Sequence, residues 1–588
     1  MTRLAVVKKE NCKGGIDCPF LCISACPVNR TGKECITKIN RDAKESKIQI
    51  DEKLCIGCGI CVKRCPFEAI SIINLPEELD KEPIHRYGAN GFALYSLPIP
   101  IFGKVVGIVG RNGIGKSTAV RILAGVQKPN LGTNEEKGFE ELLRFFKGTE
   151  AQLFFEQLRD GQIKAAYKIQ NVEAIPKHYK GSVRNLLERA DEKGRLEEVS
   201  NLLGLSKILD NQVDKISGGE LQRVAIAAAS LKNANLYIFD EPSSFLDVKE
   251  RIRVAKFIRS LADEKTAVIV VEHDLIILDY MTDLIHIMYG KQGIFGTLSL
   301  PKTTRIGINI FLEGFLREEN IKFRDYPIRF FAKPPADIRR QSELVSWRGI
   351  KKRIGKFSLS ADSGALYLHQ TVGVLGENGI GKTTLVKIFA GVENADDGTI
   401  SKKIKVAYKP QYLEADQEQL VSEVLKAALE KYSAELINPL ELNNLISKKL
   451  SQLSGGELQR VAIAECLSKQ ADLYLLDEPS AYLDVEQRMA AAKVIRDFAE
   501  RTGSTVLVVD HDLMFIDYLA ERLIVFSGTP TVEGFASEPL SMRDGMNAFL
   551  SGLGITLRRD IETLRPRINK EDSRRDREQK AEGKLYYE

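Results

Sequence analysis

Apolar positions along this chain come in short runs bounded by polar ones. No stretch approaches the roughly 18 uninterrupted apolar residues that a membrane-spanning helix needs. The longest runs, such as Ala267–Val271 and Val506–Val509, have the length of buried strands. Lys104–Val109 and Thr371–Leu375 read as two more, each followed by a glycine-rich turn and then by apolar residues at helical spacing. Two further apolar strands end at Asp240 and Asp477. The alternation predicts an α/β chain. One segment stands out: Leu142, Leu143 and Phe146, then Leu153, Phe154 and Leu158, fall on helical faces around a turn at Lys147-Gly148-Thr149, so a helix-loop-helix is expected near 136–163.

The same strings occur twice. GRNGIGKST (Gly110–Thr118) returns as GENGIGKTT (Gly376–Thr384), SGGELQRVAIA (Ser217–Ala227) as the identical Ser454–Ala464, LYIFDEPSSFLD (Leu236–Asp247) as LYLLDEPSAYLD (Leu473–Asp484), and VVEHD (Val270–Asp274) as VVDHD (Val508–Asp512). Serine-to-aspartate spacing is 23 positions in both halves. Lys116 to Gln170 is 54 positions but Lys382 to Gln411 only 29, so the first half carries an insertion of about 25 residues, the predicted helix-loop-helix. It reads either as a surface elaboration or as a docking element. RIGINIFLEGF (Arg305–Phe315) and RDGMNAFLSGL (Arg543–Leu553) close the halves.

The strand–glycine loop–helix context is that of a phosphate loop, where backbone N–H groups and the helix N-terminus attract phosphate. Gly110, Asn112, Gly113, Gly115, Lys116, Ser117 and Thr118 form one such loop, and Gly376, Asn378, Gly379, Gly381, Lys382, Thr383 and Thr384 the other. Lys116 and Lys382 are expected on the β- and γ-phosphates. Ser117, Thr383, Gln170, Gln411, Asp240 and Asp477 are expected around Mg²⁺. Glu241 and Glu478 follow the metal-facing aspartates and read as bases that polarise the attacking water. His273 and His511, each after a β-run, read as γ-phosphate sensors. Ser217, Gly218 and Gly219, and Ser454, Gly455 and Gly456, begin helices that offer a second anion cradle. Tyr87 or Phe92, and Trp347 or Phe357, precede the loops and are candidates to stack on adenine or to pack in the core.

Composition sharpens this. Of ten cysteines, nine lie before residue 66. Cys55-x2-Cys58-x2-Cys61-x3-Cys65-Pro66 is the bacterial ferredoxin run, and Cys12-x5-Cys18-x3-Cys22-x3-Cys26-Pro27 is a looser one. In two-cluster ferredoxins the fourth cysteine ligates the other cluster. Cys55, Cys58, Cys61 and Cys26 are therefore assigned to one [4Fe–4S] cluster, and Cys12, Cys18, Cys22 and Cys65 to a second. Cys35 is left over as a non-ligand. Zinc is the rival metal, but it prefers paired knuckles. A net charge of +5 over 588 residues selects no partner class. The Arg- and Lys-rich tail Arg558–Lys584 has acids interleaved, so a salt-bridged surface and a nucleic-acid or ribosomal contact face both remain open. The first residues show no signal-peptide pattern, so a cytoplasmic protein is expected.

Together the paired motifs resemble the ATP-binding cassette superfamily, in which two cassettes face head to tail. That resemblance implies that Ser454-Gly455-Gly456 close on ATP at Lys116, and Ser217-Gly218-Gly219 on ATP at Lys382. With the cysteine region, LCIGCGICVKRCPFEAI (Leu54–Ile70), HRYGANGF (His85–Phe92) and RRDIETLRPRINK (Arg558–Lys570), the chain resembles subfamily E, the RNase L inhibitor family, over its full length. The x5 gap after Cys12 departs from the x4 that the resemblance implies. What it implies is an ATPase that splits ribosomes into subunits after termination, swings its iron–sulfur domain on closure, works with a release-factor-like partner and stays on the small subunit and its rRNA, as a monomer with no membrane partner. The expected layout is 1–75 ferredoxin-like, 76–295 first cassette, 296–345 hinge, 346–528 second cassette and 529–588 C-terminal hinge and basic tail, with Arg305 and Arg543 as candidate contacts. The alternatives are an ATP-coupled electron-transfer protein, which turnover-linked changes in cluster oxidation state would favour, or a soluble transporter ATPase, which would need a membrane partner but not eight cluster ligands. A DNA-repair ATPase of the superfamily would need a coiled coil, and the 72 positions from Lys382 to Ser454 leave no room for one.

Overall fold

The computed structural model describes residues 3–40, 46–74, 82–133, 135–331, 342–401, 404–411 and 418–587. The expected domain boundary at 75/76 and part of the expected hinge, 332–341, lie outside the described residues.

The N-terminal domain pairs strand Arg3–Val7 antiparallel with Ile70–Asn74, and Ile36–Lys38 with Ile48–Ile50. Two short helices, Leu21–Ala25 and Ile60–Arg64, pack on each other, and each ends at the cysteine of a Cys-Pro pair. With so few apolar side chains, much of the buried interior is cysteine: Cys12, Cys22, Cys26, Cys35 and Cys61 lie among Ala5, Val7, Ile36, Ile48, Ile50 and Ile70. A domain this small needs such a staple.

Among the described residues, the first cassette is built on a nine-stranded sheet and the second on a ten-stranded one. Both share a parallel core. In the first it runs Ala165–Lys168, Leu236–Asp240, Ala267–Val271, Val105–Val109, Leu284–Lys291; in the second, Val406–Lys409, Leu473–Asp477, Thr505–Val509, Thr371–Leu375, Arg522–Thr529. The central strands are buried throughout and almost wholly apolar, the pattern of parallel strands covered on both faces. The sheets run past the boundaries expected at 295 and 528. Phe295–Leu298 and Glu533–Ala536 are strands that pair back onto each sheet.

The insertion folds as two helices, Phe139–Phe145 and Glu150–Arg159. Leu142, Phe146, Phe154 and Phe155 are buried in the cassette. Leu153, placed on the apolar face by its spacing, instead points to solvent at 61% exposure, and Phe155 takes the inward position.

The basic tail is folded and ion-paired, which favours the salt-bridged reading. Strands Leu557–Arg559 and Pro566–Ile568 make a ribbon, and helix Arg574–Glu582 follows. Fully buried Arg565 and nearby Arg567 both meet Asp279, on helix Leu275–Met281 of the first cassette. Arg305, its side chain 42% exposed, pairs with Asp560, whose side chain is buried. Arg543 lies exposed on helix Met542–Leu553.

Candidate functional site

Each phosphate loop turns on glycines that a side chain would block. Gly115 (φ +95°) and Gly381 (φ +100°) adopt left-handed backbone immediately before Lys116 and Lys382, and a Cβ on Gly110 would lie 2.4 Å from the Met288 carbonyl. Lys116 Nζ donates to the carbonyls of Gly110 (2.9 Å) and Arg111 (2.6 Å), curling over its own loop, and Lys382 Nζ does the same to Gly376 (3.0 Å) and Glu377 (2.7 Å). Burial lowers both lysines, Lys382 to about 8.

Beside each lysine lie the expected carboxylates. Thr383 Oγ1 donates to Asp477 Oδ2 at 2.8 Å, and Ser117 lies beside Asp240 and favours its charged form. Burial raises both aspartates above the ordinary range. Among the described residues, Oδ1 of each is buried without a partner. A buried carboxylate oxygen left unpaired next to a hydroxyl is the donor set a magnesium ion would complete. Gln170 Nε2 and Gln411 Nε2 donate to Glu241 Oε1 and Glu478 Oε1, both at 2.8 Å. His273 Nε2 stands 3.4 Å from Glu241 Oε1, and His511 Nε2 stands 3.7 Å from Glu478 Oε1. The structure thus brings together every catalytic and magnesium candidate of each half.

The halves differ electrostatically. Burial pushes both glutamates up, but at Glu241 nearby His273, Lys116 and Lys168 outweigh it and hold the carboxyl at about 2. At Glu478 burial wins and the carboxyl is raised. His511 is pushed well below the imidazole range by burial, Lys382 and Arg251.

The cassettes meet face to face. Asn112 N–H donates to Asp484 Oδ2 of the second cassette at 2.9 Å, and Asn378 N–H to Asp247 Oδ2 of the first at 2.9 Å. Arg251 reaches the His511 carbonyl (3.4 Å) and Arg488 the His273 carbonyl (3.5 Å). Asn378 Nδ2 also donates to the Phe245 carbonyl at 3.4 Å, and a Cβ on Gly219 would lie 3.0 Å from that same oxygen. The first signature therefore begins one residue away from the second phosphate loop. Ser217 and Ser454 cap their helices through Glu220 N–H and Glu457 N–H. Arg111 pairs with Glu486 (3.4 Å), and at the equivalent position Glu377 pairs with Lys249 (2.8 Å).

Tyr87 is half exposed above the first loop, with its hydroxyl 3.1 Å from Thr118 Oγ1. Phe92 and Phe357 lie against Gly115 and Gly381. Trp347 is not available to adenine: it is buried in the sheet, with its ring centroid 4.9 Å from that of Phe389. Asp247, Asp484, Arg251, Arg488, Lys168, Lys409, Gln222 and Gln459 were not singled out by sequence. The identity of the repeats around them was the available signal.

None of the ten cysteines is in a disulfide. Cys26, Cys55, Cys58 and Cys61 line one cavity, together with Cys35. Burial and crowding by Cys55, Cys58 and Cys26 push Cys61 to about 11. Burial and crowding by Cys65, Cys12 and Cys18 push Cys22 to about 12. Two crowded sets of thiols, with Cys22 in one and Cys61 in the other held protonated by burial and by their neighbours, fit a cationic iron centre in each. Among the described residues, no group of His, Cys, Asp or Glu is arranged to hold a metal ion as it stands.

The domain is held to the first cassette by the segment that carries Tyr87. Asn90 (φ +58°) is buried; its side chain accepts from Ile50 N–H (2.8 Å) and donates to Ala5 O (3.0 Å), Ile50 O (2.9 Å) and Glu52 (3.1 Å). Arg86 makes a two-point contact with Glu52.

Comparison with known proteins agrees with this geometry. The ABC transporter family model matches residues 102–244 and 359–481, and the 4Fe-4S binding domain model matches 48–71. ABC transporter E family member 1 of Arabidopsis thaliana is 45% identical, over 100% of this chain and 99% of its own. The chain belongs to the E family of ATP-binding cassette proteins. It is an ATPase with an iron–sulfur-binding domain. A solved structure described as ribosome-bound archaeal Pelota and ABCE1 shares 50% identity with TM-score 0.92, covering 100% of this chain and 99% of that one. A second, a complex of archaeal ribosomal stalk protein aP1 with the archaeal ribosome recycling factor aABCE1, shares 50% identity with TM-score 0.83, covering 86% and 99%. Among the described residues no helix is long and apolar enough to cross a membrane.

Proposed function

We propose that this chain recycles ribosomes in the cytoplasm, using ATP-driven closure of its cassettes to move the iron–sulfur domain and separate the subunits after termination. The observation that carries the reading is full-length likeness, at 50% identity, to a protein described as ribosome-bound together with Pelota. The stalk-protein complex supports a ribosomal partner.

ATP binds with its phosphates on the two loop N-termini. Lys116 and Lys382 release their own carbonyls and turn to the β- and γ-phosphates. Ser117 with Asp240, and Thr383 with Asp477, would hold Mg²⁺, which neutralises charge building on the phosphates. Glu241 and Glu478, held by Gln170 and Gln411, orient the attacking water, while His273 and His511 sense the γ-phosphate. Ser454-Gly455-Gly456 close on ATP at Lys116, and Ser217-Gly218-Gly219 on ATP at Lys382. Hydrolysis then releases the closed state. Two [4Fe–4S] clusters, one on Cys26, Cys55, Cys58 and Cys61 and one on Cys12, Cys18, Cys22 and Cys65, would stiffen the domain that Asn90 and Arg86 hold on the first cassette. The chain then stays on the small subunit.

Purified 70S or 80S ribosomes, mixed with this protein, ATP and a release factor, are expected to resolve into subunits on a sucrose gradient. Particles that persist unchanged would sink the proposal. Glu241→Gln with Glu478→Gln is expected to leave the protein co-migrating with small subunits.

A further inference from the structure

Glu241 and Glu478 have backbone in the left-handed region, φ +48° and +46°. That conformation is strained for a residue with a side chain and persists only where neighbours enforce it. The neighbours are the same in both halves. The Glu241 carbonyl accepts from Gln222 Nε2 at 2.6 Å and Lys168 Nζ at 3.2 Å. The Glu478 carbonyl accepts from Gln459 Nε2 at 2.6 Å and Lys409 Nζ at 3.4 Å. Each lysine also holds the preceding aspartate carbonyl, at 2.9 Å and 2.7 Å. Both glutamines are buried, and among the described residues Gln222 Oε1 has no partner, so that amide is oriented by its donation to Glu241.

Gln222 rides on helix Gly218–Ser230, whose N-cap is Ser217, and Gln459 on helix Gly455–Ser468, whose N-cap is Ser454. At 1.5 Å rise per residue, each glutamine stands about 7.5 Å along a rigid rod from its signature serine. Each helix thus has its start facing the other cassette's phosphate loop and its second turn fastened to its own cassette's glutamate.

We propose that Gln222 and Gln459 are positioning residues that make the placement of each cassette's catalytic glutamate depend on how its signature engages the ATP of the opposite site. The inference rests on the ATPase reading and on Glu241 and Glu478 as bases; it does not depend on the ribosome.

The test uses full-length protein in a Glu478→Gln background, where turnover comes from the first site. Gln222→Met keeps side-chain length and removes the donor. The expected result is a kcat lowered at least about tenfold, with affinity for a fluorescent ATP analogue at that site unchanged within about twofold. Ser217→Ala, a change at the far site, is expected to lower first-site turnover when Gln222 is present and to add nothing in Gln222→Met. A kcat within about twofold of the background, or Ser217→Ala and Gln222→Met effects that simply multiply, overturns the inference. If Gln222→Met fails to fold, Gln459→Met in a Glu241→Gln background reads the mirror coupling with the same criteria. Turnover surviving in Glu241→Gln with Glu478→Gln would refute the base assignment and the inference together. Loss of turnover there, with Gln222→Met fully active, refutes the inference alone.

Discussion

Removing the Asp279 carboxylate strands two arginines at the seam between the first cassette and the C-terminal ribbon. Arg565 is fully buried, and its Nη1 donates to Asp279 Oδ2 at 2.8 Å; Arg567 holds the same carboxylate through Nε (2.6 Å) and Nη2 (3.1 Å). Three charge-assisted hydrogen bonds at about 1.5–3 kcal/mol each would sum to more than Asp279→Ala is expected to cost. Arg567 recovers part, because it keeps Asp560 at 3.2 Å and is near the surface. Arg565 recovers little: its Nε keeps only a 3.4 Å contact to Asn309, and an arginine does not discharge by losing its proton. The cost is therefore set by one uncompensated buried charge, about 3 kcal/mol, at the lower end of the range for breaking a buried pair. A chain of several domains has no single unfolding equilibrium, so the assay must be local. Native-state hydrogen exchange at the ribbon amides of Leu557, Asp560 and Asn569, all hydrogen-bonded to backbone carbonyls, reads the opening of this seam. Asp279→Ala is expected to raise their exchange roughly a hundredfold. Pairing Asp279→Leu with Arg565→Met, which removes both charges, is expected to restore most of the protection. An increase below about tenfold in Asp279→Ala, equivalent to about 1.4 kcal/mol, would refute the account of a desolvated charge held by one carboxylate.

Asn90→Ala removes four hydrogen-bond contacts, three of them buried, between the first cassette and the iron–sulfur domain, and it places alanine in left-handed backbone; exchange at the Val7 and Ile50 amides should rise by at least about thirtyfold, for about 2 kcal/mol lost. Unchanged exchange there would mean that the domain is held by other contacts. Burial acts to raise Asp560, but donors from Thr563, Asn309 and Glu562, with the Arg565 charge, hold its carboxyl far below the usual range. Such a group stabilises above the unfolded carboxylate value of about 3.9 and loses that contribution as pH falls through the folded value. Ribbon protection should therefore be flat from pH 8 to about 4, decline below, and lose that decline in Asp560→Asn; an onset near pH 6 counts against the assignment. Cys26→Ser and Cys55→Ser should each cost about half of the bound iron and sulfide, and the two together still about half; nearly complete loss in the double variant would refute the crossed pairing of the two cysteine runs.

Phosphate-loop, carboxylate and signature residues were legible because each needs a fixed residue type at short range, and the chain spells the requirement twice. The parallel cores were legible for the same reason, since strands buried on both faces read as unbroken apolar runs. What sequence missed depends on distance along the chain. Gln222 and Glu241 are 19 positions apart, Asn90 and Ala5 are 85, and Asn112 and Asp484 are 372. No local period reports such pairs. Trp347 precedes the second loop much as Tyr87 precedes the first, yet the second cassette has a long hairpin, Glu343–Ile354 with Phe357–Tyr367, that turns the indole inward. Helical spacing placed Leu153 and Phe154 on one face, but the insertion packs through Phe154 and Phe155, a choice set by the cassette surface beneath it.

The pairing of Arg111 with Glu486, and of Glu377 with Lys249, exchanges sign between equivalent positions. Two first cassettes from separate chains, meeting in this arrangement, would bring Arg111 against Lys249; two second cassettes would bring Glu377 against Glu486. Either juxtaposition puts like charges at contact distance and is disfavoured. The swapped signs work as an address. They let a duplicated surface tell its other half from a copy of itself, and they direct closure within one chain.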